Sequence, residues 1–478
     1  MSNSLKRFEL VSVIGVVATL VLALNLGWQV AQDIQSVAIL FLGAFLLVLA
    51  KGTGFAGVVF FTSMLLPLSV LTRQITLPRG LLLGGAVFLL GRTILQHKKL
   101  PISDPLLRLL LLFGLTQIPS LWIANNREFA RQNIVQYAFV TLLFAFVIMD
   151  SLDSPRFLHR FVLLVIGLGT LDSLVTLWQM VYGMSSMPEI YFQFVVSREV
   201  VDVYRVGLQE SAFGLFPGRG YNGMFLLVPA CILIANVLTG FPLKKRAASL
   251  LLVLHAVAIF GTLARLPIYL LISSIAIISL LVVGKRITSL ARLGLVLVLP
   301  IFVLLNYFMP AGFEKAVADR TQNNLLRPDQ QLLRDRGPGW EVAWPLVWQN
   351  PVYGLGIGGL APQMGGAESN IVHNGYLETL GELGVGGFAL LLLLLFVVAR
   401  QYRLAWGAQL SYGWRGVFAA FISYYLGILI WGMTGLSFKP GIELVTLSYV
   451  VPFVFTRLFM PGKSCTAGNG QSVWRRAN

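Results

Sequence analysis

Residues 247–283 read AASLLLVLHAVAIFGTLARLPIYLLISSIAIISLLVV, and this stretch decides the fold. As one continuous α-helix it would be about 55 Å long at 1.5 Å per residue, whereas the apolar core of a bilayer is about 30 Å thick. The chain therefore reverses near Ala264, Arg265 and Pro267, and the proline helps to start the returning helix. Two apolar helices joined by almost no loop indicate a helical membrane protein.

The rest of the chain repeats this pattern. Of its 478 residues, 56% are hydrophobic and only 12% are charged, with a mean hydropathy of +0.78, whereas about a quarter of a soluble protein is charged. We therefore predict an all-α polytopic membrane helical bundle of roughly 12–14 transmembrane helices. The apolar runs lie near residues 10–26, 34–50, 54–71, 80–95, 105–123, 133–149, 157–182, 219–239, 247–264, 266–283, 291–309, 374–399, 412–432 and 440–460.

Basic residues indicate on which side of the membrane each connection lies. With the N terminus inside, nearly every inner connection contains Lys or Arg, which is the positive-inside pattern. The net charge of +16 is thus mainly topological, and a nucleic-acid partner is excluded because aromatic residues for base stacking are not interleaved with the basic ones. Residues 1–460 are predicted to form the transmembrane domain and residues 461–478 a cytoplasmic tail. The inner basic residues are Lys51, Lys98, Lys99, Arg156, Arg160, Lys244, Lys245, Arg246, Lys285, Arg286, Arg292, Arg400, Arg403, Arg415, Lys463, Arg475 and Arg476.

The same topology places two long loops, residues 183–218 and 310–372, on the outer face. Loops of this length are uncommon unless they are functional or disordered. Tryptophans at helical spacing in the second loop predict an amphipathic helix over residues 340–348, which either lies on the outer leaflet or packs on the spans. The run GLGIGG at 354–359 lacks the preceding strand and the lysine of a nucleotide-binding loop, so it is interpreted as a tight backbone turn.

Three arginines are candidates for binding an anionic group on the outer face. Arg265 lies at the outer boundary of the bilayer, where an arginine is costly unless it has a partner. It either extends to lipid phosphate or binds an anionic substrate group. Arg205 and Arg219 flank a Gly/Pro-rich entry to a span, where both could grip phosphate oxygens bidentately. An interfacial anchor explains Arg219 equally well, and an ion pair with Asp202 explains Arg205 equally well.

His373 is the candidate general base. Of the four histidines, only His373 is predicted on the outer face, and histidine titrates near neutral pH, as a general base should. Asn374 is predicted to cap the helix that follows. Glu378 either orients His373 or pairs with an arginine from a neighbouring helix. The outer face has no His- or Asp-rich cluster with metal-ligand spacing, so neither a metal nor another cofactor is expected.

Together these residues resemble the O-antigen ligase and polymerase superfamily, bacterial membrane glycosyltransferases that use polyprenyl-diphosphate-linked glycans. The resemblance covers residues 200–400. TLAR, with Arg265, is similar to the family's T-x-SR hairpin with alanine for serine, and the segment from Arg205 to Asn222 is similar to its R…G-x-F…N element with GRGYN in place of NPN. The main pattern is R-x-x-x-W, NP-x-x-GxGxGG and HNGYLETLGELGVGG, here Arg336, Trp340, Asn350, Pro351, Gly354, Gly356, Gly358, His373, Asn374, Tyr376, Glu378, Glu382 and Gly384.

The resemblance implies a GT-C-like bundle in the bacterial inner membrane, with both termini cytoplasmic and a periplasmic active site. Arginines such as Arg265 would neutralise the departing diphosphate, and His373 would deprotonate the acceptor hydroxyl, giving inversion without a metal ion. The donor would be an undecaprenyl-diphosphate-linked glycan, drawn from among the membrane lipids. The residues expected to contact substrate are Arg205, Arg219, Arg336, Asn374, Tyr376 and Glu378.

The acceptor distinguishes the functions that this chemistry allows. A ligase transfers the glycan to lipid A-core, a polymerase transfers it to another lipid-linked repeat unit, and a protein O-oligosaccharyltransferase transfers it to protein. A transporter of lipid-linked glycans is the alternative from another class. It predicts charged residues along the spans, which the mid-span regions nearly lack. A non-catalytic membrane scaffold would not explain why Arg265 and His373 are both predicted on the outer side of the membrane.

Overall fold

The computed structural model describes residues 104–137, 141–142, 144–187, 212–216, 218–284, 328–360, 372–434 and 443–460. These residues form helices and no strands, and six helices among them are long and apolar enough to cross a membrane. The predicted all-α polytopic membrane bundle is therefore confirmed. The predictions that lie outside the described residues are the spans near 10–26, 34–50, 54–71, 80–95 and 291–309, most of the outer loop 183–218, parts of the outer loop 310–372, the tail 461–478, Arg205, and the inner basic residues Lys51, Lys98, Lys99, Lys285, Arg286 and Arg292.

The helices follow most of the predicted apolar runs to within a few residues. In chain order they are α1 (Pro105–Leu115), α2 (Ser120–Ile123), α3 (Arg127–Tyr137), α4 (Phe144–Ser151), α5 (Pro155–Tyr182), α6 (Arg219–Thr239), α7 (Lys245–Gly261), α8 (Arg265–Val283), α9 (Pro328–Gln349), α10 (Gly375–Trp406), α11 (Tyr412–Thr434) and α12 (Glu443–Phe459), with a 3₁₀ turn at Met184–Ser186.

Helix α6 forms the centre of the bundle. It packs against α5, α7, α8 and α11, and every residue from Asn222 to Asn236 is buried. A helix that is apolar all round is typically buried on all sides, and α6 follows that rule. The surrounding helices bury a smaller share of their length; only 39% of the apolar window of α8 is buried. Beyond its first turn, α6 is thus held by packing from several directions.

The predicted reversal between α7 and α8 is confirmed. Helix α7 ends at Gly261 and α8 begins at Arg265. The turn between them places Leu263 at a φ of 51°, a left-handed conformation that is uncommon outside glycine. The Thr262 hydroxyl stabilises this turn, because it donates to the Ile259 carbonyl at 2.7 Å and accepts from the Ala264 N–H at 3.2 Å.

The predicted span 105–123 contains a turn. The turn divides the run into α1 and α2 at Pro119, which lacks the N–H that would continue the helix, although Pro105–Ile123 as a whole is long and apolar enough to cross a membrane. Within the predicted span 133–149, the described residues are the end of α3, the helical residues 141–142 and the start of α4. Helix α3 is polar and begins at Arg127, and its exposed residues Glu128 and Arg131 form an ion pair at 2.8 Å.

The amphipathic helix predicted over 340–348 is confirmed as the second half of α9. Its buried residues Ala343 and Val347 face α10, where a Cβ on Gly381 would lie 3.4 Å from Val347 Cγ2. Trp344 and Trp348 are 50% and 60% exposed, with ring centroids 5.8 Å apart. The helix therefore packs on the spans and directs two tryptophans outward.

One end of the bundle, which we call the basic end, is closed by packed rings. Ring centroids lie 5.1 Å apart between His159 and Phe241, 5.0 Å between Phe241 and Trp414, and 5.6 Å between Trp414 and Phe459. These contacts join the starts of α5 and α11 to the ends of α6 and α12. The basic residues carried at this end include Arg156, Arg160, Lys244, Lys245, Arg246, Arg400, Arg403, Arg415 and Arg457.

Candidate active site

The opposite end, which we call the site end, is formed by the first turns of α6, α8 and α10 and the last turns of α11. Helices α6 and α8 touch there, since a Cβ on Gly223 would lie 2.6 Å from Pro267 Cγ. The rings of Tyr221 and Trp431 are 5.7 Å apart, which places the end of α11 beside the start of α6.

Helix α10 joins this arrangement through Tyr376. The Tyr376 hydroxyl donates to the Leu429 carbonyl in α11 at 3.1 Å, and the residue is half-buried. Helix α11 thus connects the start of α6 with the start of α10. The structure therefore brings three sequence-predicted residues, Arg219, Arg265 and His373, to the same end of the bundle.

Arg219 and Arg265 occupy equivalent positions. Each is the first residue of its helix and each is half-buried. Among the described residues no side chain caps either helix, so the backbone N–H groups of the first turns point toward the site end. A helix N terminus carries a partial positive charge and favours an anion. Two arginines and two helix N termini together favour a strongly anionic ligand.

His373 has an unusual backbone conformation. Its φ is 46°, a region that non-glycine residues adopt mainly where surrounding contacts hold them. On one side, the Trp340 indole N–H donates to the Val372 carbonyl at 2.8 Å. On the other, Asn374 Oδ1 accepts from the N–H groups of Tyr376 and Leu377, both at 3.1 Å, which confirms the predicted cap. His373 is thus held between two fixed neighbours.

A loop wraps around α10 where that helix bends. The bend is at Gly384, whose φ of 67° and ψ of −172° are not helical, and residues 351–358 lie against it. We call the contact of these residues with residues 381–385 the glycine clasp. Its backbone hydrogen bonds run from Leu355 N to Gly381 O at 2.9 Å, from Gly356 N to Glu382 O at 3.0 Å, and from Val385 N to Pro351 O at 2.7 Å.

The glycine clasp explains why the motif is so rich in glycine. A Cβ on Gly354 would lie 2.4 Å from the Glu382 carbonyl, and a Cβ on Gly384 would lie 2.2 Å from the Val352 carbonyl. Gly354, Gly356 and Gly358 all have positive φ, so the predicted tight turn is confirmed. Its purpose is close backbone contact with α10 rather than a turn alone.

Glu382 was not among the predicted site residues, although it belongs to the matching motif. The side chain is buried, and its Oε1 accepts from the Gly358 N–H at 2.8 Å. A carboxylate that receives a backbone N–H makes a strong hydrogen bond, so Glu382 secures the glycine clasp from within. In the sequence, Glu382 stands out only because it lies four residues after Glu378, on the same face of the helix. The two differ in burial, since Glu378 is only half-buried in the first turn of α10.

The remaining predicted residues are placed less completely. Arg336 lies in α9, one turn before Trp340, and only its backbone is described. Within the described residues, no group of three or more His, Cys, Asp or Glu is arranged to hold a metal ion.

A small apolar cluster connects α9 and the glycine clasp to the start of α10. This apolar cluster consists of Ala343, Leu355, Leu360 and Val372, with Trp340, Leu346 and Leu377 packed against it.

Comparison with known families agrees with this geometry. A family model described as O-antigen ligase matches residues 250–392. This match supports membership of the chain in the O-antigen ligase superfamily. In general terms it supports an O-antigen ligase- or polymerase-type membrane glycosyltransferase, and the family suggests lipid-linked glycans as substrates. No curated protein matches the chain.

The match to the O-antigen ligase family extends from α7 to the middle of α10. Arg265, His373 and the glycine clasp lie inside it, whereas Arg219 precedes it. The matched segment therefore contains both the strained backbone at His373 and the closely packed glycine clasp. Arg219 lies beside this segment because α6 packs against α7 and α8.

Proposed function

We propose that the protein transfers a glycan from undecaprenyl diphosphate to a sugar hydroxyl of lipid A-core, on the periplasmic side of the bacterial inner membrane. The observation that carries this proposal is the convergence of Arg219, Arg265 and His373 at one end of the bundle. A glycosyl transfer of this kind needs positive charge for the leaving group and a base for the acceptor, and the site end offers both.

The proposed chemistry assigns one role to each group. The acceptor hydroxyl oxygen attacks the anomeric carbon from the side opposite the diphosphate, so the configuration inverts. The bond between that carbon and the donor's phosphate oxygen breaks, and its electron pair remains on undecaprenyl diphosphate. The hydroxyl proton passes to His373. Fixed donors aimed at developing charge stabilise a transition state, and here Arg219, Arg265 and two helix N termini take that role without a metal ion.

The other predicted residues support these groups in the proposal. Asn374 and Tyr376 fix the start of α10, and hence His373, through the hydrogen bonds described above. Glu378 lies in the first turn of α10, where a negatively charged carboxylate interacts favourably with the positive end of the helix dipole. Arg336, in α9, and Arg205 are proposed as further contacts to the lipid-linked donor.

Charge supports the assignment of sides. The positive-inside rule places connections rich in Lys and Arg in the cytoplasm, and the basic end includes the cluster Lys244, Lys245 and Arg246. The site end is then periplasmic. Nucleotide-activated sugars are absent there, which is consistent with a donor that is already activated on a lipid.

The test is a transfer assay with purified protein, undecaprenyl-diphosphate-linked repeat units and lipid A-core. We expect His373→Ala to lower kcat by about 10²–10⁴-fold, the usual contribution of a general base. Arg265→Lys keeps the charge but loses the bidentate fork, so kcat should also fall strongly. Arg400→Lys, an exposed residue at the basic end, is the matched control and should behave like the wild type.

Full activity of His373→Ala would disprove the assignment of the base, and wild-type activity of Arg265→Lys would favour contact with lipid phosphate instead. The products decide among the acceptors. Lipid A-core carrying glycan supports a ligase, whereas longer lipid-linked chains formed without lipid A-core support a polymerase. Movement of the donor across a vesicle membrane without a covalent product would support a transporter.

A further inference from the structure

A short segment before α6, residues 212–216, is held inside the bundle by polar side chains of α5; we call it the buried segment. Gln179 Oε1 accepts from the N–H groups of Phe213 and Gly214, both at 2.8 Å, and Gln179 Nε2 donates to the Gly214 carbonyl at 2.9 Å. One step further on, the Leu215 N–H donates to Asp172 Oδ1 at 2.7 Å. Side chains of α5 thus replace the partners that this non-helical backbone would otherwise need.

The buried segment also reaches both arginine-bearing helices. Its first residue, Ala212, donates its N–H to the Gly261 carbonyl at 3.2 Å, immediately before the reversal that leads to Arg265. Its last residue is three positions before Arg219. A displacement of the buried segment would therefore move the starts of α6 and α8 together.

Asp172 lies beside Asn222 at the centre of this arrangement. A Cβ on Gly214, which has a φ of 60°, would be 2.4 Å from Asp172 Oδ1 and 2.5 Å from Asn222 Nδ2. Asn222 Nδ2 in turn donates to Thr176 Oγ1 at 3.0 Å. Asp172, Thr176, Gln179 and Asn222 are all at least nine-tenths buried, so the buried segment is fitted into a polar cluster inside the helices.

Polar groups inside an apolar bundle are costly to keep. Asp172 is completely buried, and no described basic residue forms an ion pair with it. Its Oδ2, like Asn222 Oδ1, is enclosed with no hydrogen-bond partner among the described residues. The hydrogen bonds of Asp172 and Gln179 are directed at the buried segment, whereas Asn222 and Thr176 bond to each other. This points to a role in placing that segment.

We propose that Asp172 and Gln179 are positioning residues for glycosyl transfer, which hold Arg219 and Arg265 in place through the buried segment. The proposal rests on the proposed function, because it assumes that these arginines bind the donor's diphosphate. Asp172 acts through its hydrogen bond to Leu215 rather than through charge. Asparagine, which keeps an acceptor oxygen in the same place, therefore substitutes for it, whereas alanine does not.

The first measurement is the steady-state kinetics of transfer with the undecaprenyl-diphosphate-linked donor. We expect Asp172→Ala and Gln179→Leu to lower kcat/KM roughly tenfold to a hundredfold, the scale of a misplacement of about 1 Å, with much of the change in the KM of the donor. Asp172→Asn should keep at least about half of the wild-type value, since one hydrogen bond is retained. Ser173→Ala is the matched control, because Ser173 is equally buried on the same helix and makes no described contact with the buried segment.

The second measurement does not depend on activity. Gly218→Cys, in a Cys465→Ser background, places a thiol between the buried segment and Arg219, and the other cysteine, Cys231, is buried. The φ of Gly218 is −167°, an extended conformation that cysteine adopts readily. We expect Asp172→Ala and Gln179→Leu to speed the reaction of this thiol with maleimide at least about tenfold, because the segment is released, and Asp172→Asn to leave the rate near that of the parent.

The outcomes separate the two proposals. Unchanged kinetics and unchanged labelling in both Asp172→Ala and Gln179→Leu would overturn the positioning role. So would an Asp172→Asn variant as impaired as Asp172→Ala, since charge would then matter. If Asp172→Ala does not accumulate in the membrane, Gln179→Leu supplies the same test. A wild-type protein that transfers no glycan removes the proposed function, while thiol labelling still tests how the segment is held.

Discussion

The two ends of the bundle are built in opposite ways. At the basic end, the rings of His159, Phe241, Trp414 and Phe459 pack edge to face or tilted, and Arg457 donates to the carbonyls of Met149 and Leu152. At the site end, His373 has a left-handed backbone and the glycine clasp leaves no room for side chains. The difference shows that one end gains stability from ordinary packing, whereas the other uses stability to hold a strained geometry, as functional sites commonly do.

The largest effect expected is an all-or-none difference in accessibility between the two ends. Two variants are to be compared in a Cys465→Ser background. They are Tyr353→Cys, at an exposed position within the glycine clasp, and Arg246→Cys, at an exposed position of the basic end. An impermeant maleimide added to intact spheroplasts should label only the first, because the positive-inside rule places Arg246 in the cytoplasm. Labelling of only Arg246→Cys would reverse the assignment of the sides.

The next effect concerns Gly384. Alanine there would have a Cβ 2.2 Å from the Val352 carbonyl in a backbone conformation essentially restricted to glycine. We expect Gly384→Ala to lower transfer by more than about tenfold, as a small misplacement of a catalytic group does, and to lower the melting temperature. Gly386→Ala is the matched control on the same helix, where a Cβ meets nothing within 4 Å. Equal behaviour of the two variants would show that the glycine clasp does not position His373.

The smallest effect on function is expected at the basic end. Trp414→Ala removes a ring that contacts Phe241, Phe455 and Phe459, and such a truncation costs about 3–5 kcal/mol of stability. We expect a melting temperature lower by several degrees, with kcat and KM of the folded fraction unchanged. A large change in KM at full folding would show that the two ends are not independent in function.

Local physics made several features of this structure predictable from sequence. The length of the apolar run 247–283 required a reversal, and Arg265 indeed begins the returning helix. Asn374 before a helix predicted its cap, and the helical spacing of Trp340, Ala343, Trp344, Val347 and Trp348 predicted an amphipathic helix. Each of these inferences needs only residues close together in the chain.

The errors and omissions have the opposite character. The span expected over 133–149 includes the end of the polar α3, which begins at Arg127, because a hydropathy window averages α3 with the apolar α4. Glu382 was not predicted as a site residue, yet it accepts a hydrogen bond from the N–H of Gly358, 24 positions earlier in the chain. Asp172 and Gln179 lay in a span and were passed over, because their partners, residues 213–215, are more than 30 positions further along the chain.

The sequence by itself determined that this is an all-α membrane protein and where α7 reverses, and it predicted that Arg219, Arg265 and His373 serve a diphosphate and a hydroxyl. It did so because apolar length, charge distribution and capping act over a few residues. Only the tertiary structure decided that Arg219, Arg265 and His373 share one end, that the glycines fit against the bend of α10, and that α5 holds the buried segment. Those facts depend on how distant helices pack, since close backbone contacts and buried hydrogen bonds exist only once the bundle is assembled.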